Sequence, residues 1–278
     1  MYTLAYKKQA LPISSFKING NTLNFMFITP VEDCVIDFGD GTKQTFTGDN
    51  SSTPVTHSYS ESNIYTIKIT GNHSSFRAPQ NIIEIIQISN SVTNCSGIFS
   101  NCSNLTTIPE TLIIPNSVTD CSYMFNNCRS LTAIPSTLTI PNSVTNCSYM
   151  FYYCSNLTTI PETLTIPNSV TNCSRMFQNC SNLTTIPETL IIPNSVTNCS
   201  RMFASCSSLA SDISNIWPSA WNSTETINVS YMFSSCTKVV GTVPADKLWN
   251  SGKTFTSSSC FRNCTSLTNY DEIPAGWK

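Results

Sequence analysis

Charge is scarce in this chain. Only 11% of its 278 residues are Asp, Glu, Lys or Arg, and 14 bases against 16 acids leave a net charge of -2. A balance this close to neutral gives no bulk electrostatic pull toward nucleic acid. No lysine occurs between Lys68 and Lys238. Histidine is nearly absent. His57 and His73 are the two, which leaves little material for acid–base or zinc chemistry. No run approaches the roughly 18 apolar residues of a membrane-crossing helix, so no membrane insertion is expected. The start, Met1 to Lys8, places its basic pair after a few apolar residues instead of before a long apolar stretch, which is not the layout of a secretory signal.

Ser, Thr and Asn fill the space that charge leaves, with 41, 36 and 29 copies. The 40% hydrophobic content is too high for a disordered chain. The length allows one long domain or two ordinary ones with a sizeable core.

Most of the polar excess belongs to one repeated unit. Segments start at Asn90, Asn116, Asn142, Asn168 and Asn194, 26 residues apart each time. Two degenerate copies follow, marked by Met232-Phe233 and Cys260-Phe261. Degenerate end copies suit a cap, because the last copy must face water. Within one copy Cys121, Met124, Phe125 and Cys128 fall at i, i+3, i+4 and i+7, which predicts a short helix. Asp120, or Asn at the same place in other copies, precedes that stripe and suits an N-cap. Leu138 and Ile140 alternate with Thr137 and Thr139 before Pro141, which predicts a half-buried strand. No copy buries its apolar face alone, so the copies must stack.

The run "IPNSVTNCSYMF..CSNLTTIP" resembles the BspA-type leucine-rich repeat and the related bacterial surface-protein repeat, over about residues 80–275. The resemblance implies a non-catalytic solenoid used for adhesion or binding at a surface. The cysteine of the Asn-Cys-Ser step departs from relatives that carry an apolar residue or Met there, as a core substitution.

Residues 1–77 lack the repeat. Ile18-Asn19-Gly20-Asn21 sits between two strand-like runs, and its Asn-Gly step predicts a hairpin. Val35 to Thr42 reads as a strand entering a Gly-rich turn, and Tyr65 to Thr70 alternates as a further strand. Phe38-Gly39-Asp40-Gly41, His57-Ser58-Tyr59 and Tyr65-Thr66-Ile67 resemble the marks of a PKD-type immunoglobulin-like module, with Ile36 and Ile67 in place of the family's Trp and Val. Such a module implies a spacer or cap over the first repeat. The expected fold is therefore α/β: a small all-β sandwich over 1–77, then over 78–278 a right-handed leucine-rich-repeat-like solenoid of about seven 26-residue repeats, each a short helix plus short parallel strands.

The cysteines form two ladders. One is Cys95, Cys121, Cys147, Cys173 and Cys199; the other is Cys102, Cys128, Cys154, Cys180, Cys206, Cys236 and Cys264. Their Cys-x6-Cys spacing lacks the tight pairs that zinc needs, and a helical reading separates the two sulfurs of one copy by ~10 Å along the axis. Reduced thiols serving as small apolar core groups are expected, an arrangement that fits poorly with an oxidising export route. Asp37 and Asp40 read as turn residues and His57 as a structural hydrogen bonder, so no catalytic set, metal or cofactor is expected.

Positions where near-identical copies differ are expected to be exposed. One such column is Gly97, Tyr123, Tyr149, Arg175, Arg201 and Tyr231; a second is Ser100, Asn126, Tyr152, Gln178 and Ala204, with Tyr153 beside it. Tyr and Arg carry contact energy at interfaces, so Tyr123, Tyr149, Tyr152, Tyr153, Arg175, Arg201 and Tyr231 are candidate partner-binding residues; the competing reading is drift between duplicated surfaces. The expected function is non-enzymatic binding or adhesion to a protein or glycan at a cell surface. A structural or receptor-binding part of a phage or similar particle, contacting other particle proteins, is the alternative. Ice binding is a minor one, because Ile113 and Ile191 interrupt the Thr-x-Thr array.

Overall fold

The computed structural model describes residues 13–48 and 54–278; the segment read above for a secretory signal lies outside them. The N-terminal region is one six-stranded antiparallel sheet instead of a two-sheet sandwich. Its strands are β1 (Ile13–Phe27), β2 (Val31–Asp37), β3 (Lys43–Gly48), β4 (Pro54–His73), β5 (Phe76–Arg77) and β6 (Ile82–Gln87). The order is β3-β2-β4-β1-β5, with β6 also on β1. The Asn-Gly step makes no hairpin. β1 runs through it with a register shift between Gly20 and Thr22 against β4, so the glycine supplies a bulge. Alternation works as expected in this region: Phe16, Ile18, Ile67 and Ile69 all point into the core.

The repeats correct the α/β expectation. Among the described residues the only helices are three single 3-10 turns near the C-terminus, and the only paired strands outside the sheet are the two-residue β7 (Ile227–Asn228) and β8 (Phe255–Thr256). Cys121, Met124, Phe125 and Cys128 are all fully buried, as their spacing demanded. Their backbone is a chain of tight turns. Tyr123 and Asn127 sit at φ 56° and 59°, and left-handed residues interrupt a right-handed helix. The N–H groups then alternate in direction. Those of Met124, Asn126 and Cys128 reach back to Cys121, Tyr123 and Phe125. Those of Cys121, Tyr123, Phe125 and Asn127 reach forward to Asn146, Ser148, Met150 and Tyr152 of the next copy. Every second backbone donor thus ties one coil to its neighbour.

The predicted N-caps have a different task. Asp120 Oδ1 accepts from Ser122 N–H at 2.7 Å, and Asn146 and Asn172 do the same for Ser148 and Ser174. These are Asx turns, stacked through isolated parallel bridges from Asn94 to Asn228. Leu138 and Ile140 are buried on either side of exposed Thr139, but no ladder forms there. Threonines brace the coils instead: Thr137, Thr163 and Thr189 donate their hydroxyls to the carbonyls of Glu110, Ser136 and Glu162.

One continuous core joins sheet and stack. Phe99, Phe125, Phe151, Phe177 and Phe203 stack with ring centroids 5.5 Å apart, and Phe233 and Phe261 continue the column. Both ends are closed. Ser74 O accepts from Thr93 and Asn94 N–H, and Ala78 N–H donates to Ile98 O, so the sheet covers the first coil. At the other end Trp277 stacks on Phe261, and its carbonyl accepts the Phe261 N–H at 2.7 Å.

Candidate binding face

The 26-residue register stacks the candidate residues directly. Gly97, Tyr123, Tyr149, Arg175, Arg201 and Tyr231 each donate a backbone N–H to the following coil at 2.9 Å. All six lie between φ 56° and 65°. This region suits Gly and tolerates Asn, while other side chains there cost roughly 1–2 kcal/mol each. A second left-handed column, four residues later in each copy, carries Asn101, Asn127, Asn179 and Asn263. Tyr153 interrupts it, at φ 57°. Bulky side chains therefore occupy backbone positions that favour the smallest ones.

The side chains interlock. Tyr123 stacks on Tyr149 at 4.3 Å, and Tyr152 meets Tyr149 edge-on at 5.2 Å and Tyr153 at 4.6 Å. The Arg175 guanidinium lies 5.0 Å above the Tyr149 ring and donates to its hydroxyl. Arg201 lies 4.3 Å above Tyr231. Five of the seven predicted residues, Tyr123, Tyr149, Tyr152, Tyr153 and Arg175, thus form one contacting group, and Arg201 with Tyr231 forms a second. Tyr123 and Tyr153 are the most open, at 39% and 38% exposure; the others are half-buried. Burial raises the Tyr123 and Tyr152 phenols above their ordinary values, which keeps them neutral hydrogen-bonding groups.

The second variable column corrects the equation of variation with exposure. Ser100 and Ala204 are buried, and Asn126, Tyr152 and Gln178 are half-buried. The buried Asn126 Oδ1 and Gln178 Oε1 have no hydrogen-bond partner.

Two arginines escaped the sequence reading. Arg129 sits 5.9 Å above the Tyr153 ring and donates to Asn127. Arg77, from β5, holds its guanidinium 3.2 Å from where a Gly97 Cβ would stand, so it takes the place of the missing side chain. Beside it opens a cleft of about 450 Å³ lined by Asn24, Met26, Arg77, Asn81, Ser100 and Asn101. Ser100 and Asn101 bring the first coil to this cleft. A usable signal existed: in a chain this poor in charge, each arginine needs a reason.

The cysteines stand away from this face in the core. All 14 are free and buried. Each thiol of the second ladder from Cys128 to Cys264 donates to a phenylalanine carbonyl one coil back, at 2.9–3.2 Å. Burial pushes Cys128, Cys147 and Cys199 up to about 12. A thiol held that high offers no thiolate for attack or ligation. Among the described residues no cluster of His, Cys, Asp and Glu has the make-up to hold a metal. In the sheet, His57 bonds Asp40 at 2.7 Å and stacks on Phe38, while Asp37 and Asp40 accept from Gly39 and Thr42 N–H.

Fold and face together define a repeat protein built of stacked turns, with an aromatic and cationic strip along one side. A family profile described as a Mycoplasma protein of unknown function, DUF285, matches residues 72–189 and 145–273, and the chain belongs to that family. No curated protein and no solved structure matches it. Among the described residues no helix is long and apolar enough to cross a membrane.

Proposed function

We propose that this chain is a non-catalytic binding protein that presents the Tyr/Arg face to a protein or glycan at a cell surface. The resemblance to BspA-type repeats points the same way. One observation carries the reading. Tyr123, Tyr149, Arg175, Arg201 and Tyr231 occupy a left-handed column where Gly would stabilise the fold, and retained strain of this kind clusters at functional positions.

The test replaces strip residues by those the backbone prefers: Tyr123→Gly, Tyr149→Gly and Tyr153→Asn together. Labelled full-length chain is applied to an array of glycans and matrix proteins. We expect binding to fall at least tenfold. A control with Thr106→Ser, Thr158→Ser and Thr184→Ser, on another side of the coils, should bind like the original. Undiminished binding by the Tyr variant, or loss in the control alone, removes the reading. The 14 free thiols favour a second setting, a phage or similar particle. Mass spectrometry of purified particles and of cell-envelope fractions separates the two.

A further inference from the structure

All five arginines of the chain attach to one face. Arg77 stands beside Gly97 and Arg129 over Tyr153. Arg175 and Arg201 are in the first column. Arg262 occupies the second column's register, its carbonyl accepting from Ser235 N–H. Of the carboxylates between residues 90 and 206, Glu110, Glu162 and Glu188 each follow a proline, and Asp120 accepts the Ser122 N–H. Among the described residues no arginine forms an ion pair; the three that exist involve Lys17, Lys43 and His57. Positive charge is therefore gathered and left uncompensated on a chain whose net charge is -2.

The geometry is most specific at Arg175 and Arg201. Their backbones are adjacent, with Arg175 N–H bonded to Ser200 O, yet their guanidiniums lean apart. Arg175 lies over Tyr149, toward the N-terminal end, and Arg201 lies over Tyr231, toward the C-terminal end. Two like charges one coil apart separate, and each rests on an aromatic face. Of five N–H donors on each guanidinium, Arg175 uses one on Tyr149 and Arg201 has no hydrogen-bond acceptor among the described residues. Tyr152 stands at the side of the pair. Burial, then Tyr153 and Tyr149, raise its phenol, while Arg175 and, least, Arg201 oppose them.

Arginine, and no lysine, supplies this charge. A planar fork matches a carboxylate with two parallel hydrogen bonds and stacks on rings, which an ammonium does not. The surroundings are neutral and rich in hydroxyl and amide groups, and they suit a hydroxyl-rich ligand. Tyr123 and Tyr153 are the most exposed rings of the face, at 39% and 38%. An acidic peptide brings carboxylates but not the ring hydroxyls that such a lining can bond.

We propose that the gap between Arg175 and Arg201 is a carboxylate subsite, and that the face takes an acidic polysaccharide of uronic acids whose neighbouring rings lie on Tyr123 and Tyr153. This rests on the binding-face reading above and names its ligand class.

The experiment is a calorimetric titration of the full chain with polygalacturonate oligomers. Two comparison ligands are used: the same oligomers with carboxyl groups reduced to alcohols, and polyglutamate of equal charge. We expect saturable binding to the uronate, at least tenfold weaker binding to both others, and weakening with salt. Arg175→Lys with Arg201→Lys keeps the charge and loses the fork, and should lose at least tenfold. Arg175→Gly with Arg201→Gly suits the left-handed backbone, so it should stay folded and lose binding as well. Equal affinity for polyglutamate, full affinity in the lysine variant, or no binding of the uronate would overturn the subsite. If the reduced oligomers bind as tightly as the uronate and the Tyr variant abolishes both, the binding face stands and the carboxylate inference fails.

Discussion

In the N-terminal sheet, β1 and β4 satisfy one another's backbone over a long antiparallel register, from Ile13 opposite Thr70 to Met26 opposite Pro54. In the coils, the N–H of Tyr123 bonds Ser148 of the next coil, while that of Asn126 turns back to Tyr123. The sheet uses a regular conformation, so local alternation carries its information. The stack uses left-handed residues at fixed intervals, and its regularity lies in the 26-residue register. Each coil therefore depends on its two neighbours, as in any linear repeat. The ions follow the same division. Among the described residues the three ion pairs belong to the sheet, and the coils rely on rings, thiols and hydroxyls.

The largest expected effect breaks the stack at its centre. Phe151 is fully buried between Phe125 and Phe177, at 5.5 Å from each ring. Phe151→Ala should cost about 3–5 kcal/mol, the usual range for removing a buried aromatic ring. Because the cavity opens in a column shared with the neighbouring coils, hydrogen exchange should speed up at Met124 and Met176 before it changes at Ile67 in β4. Equal acceleration in both regions would show that sheet and stack unfold as one unit. Urea titration and exchange mass spectrometry read both quantities.

How much was legible follows the same division. The coil length, the buried set and the stacking were readable because burial follows spacing whatever the backbone does. Helix and strand were misread because Cys121, Met124, Phe125 and Cys128 satisfy the helical period while Tyr123 and Asn127 break it. Nothing in a Tyr codon announces a left-handed backbone; Gly97 in the column itself and four asparagines in the companion column were the local hints. The Tyr and Arg candidates were found by variation between copies. Arg77 and Arg129 were missed because β5 and the turn after Cys128 reach the strip only through the folded geometry.

The second effect concerns the junction between the regions. His73, at the end of β4, is 1% exposed. Its Nδ1–H donates to Gly71 O at 2.9 Å, which leaves Nε2 to accept from the Ser14 hydroxyl at 2.7 Å. Ser14 Oγ in turn accepts from Ser89 N–H. The nearest other titratable group is Cys34, with Sγ 3.9 Å away, itself pushed up to about 11 by burial and by Asp33. Burial lowers the His73 pKa below its ordinary 6.5, with the Gly71 bond opposing in part. The unfolded chain therefore takes up this proton first. Stability present above pH 6.5 should decline as pH falls toward the lowered folded value. Asp37 and Asp40, both held below 3.8, add their losses only under that value. Urea midpoints from pH 8 to 5 should fall for the original chain and stay nearly level for His73→Gln. The same slope in both would place the titration elsewhere.

The smallest effect tests the left-handed columns directly. Ser205 stands in the asparagine column at φ 62°, its N–H bonded to Ser234 O at 2.8 Å, and its side chain makes no hydrogen bond among the described residues. Ser205→Gly should raise stability by roughly 0.5–1 kcal/mol, since Gly loses nothing in this region beyond its greater freedom when unfolded. The opposite exchange in the sheet has the opposite sign. A Cβ added at Gly71, φ 110°, would stand 2.5 Å from Asp33 O, so Gly71→Ala must move backbone and lose stability. If Ser205→Gly lowers the urea midpoint, the left-handed positions carry no strain. Tyr149 and Arg175 would then hold no strain for a binding role to explain. If it raises the midpoint, the chain forgoes stability at each such position, and the strip is where it does so with the largest side chains.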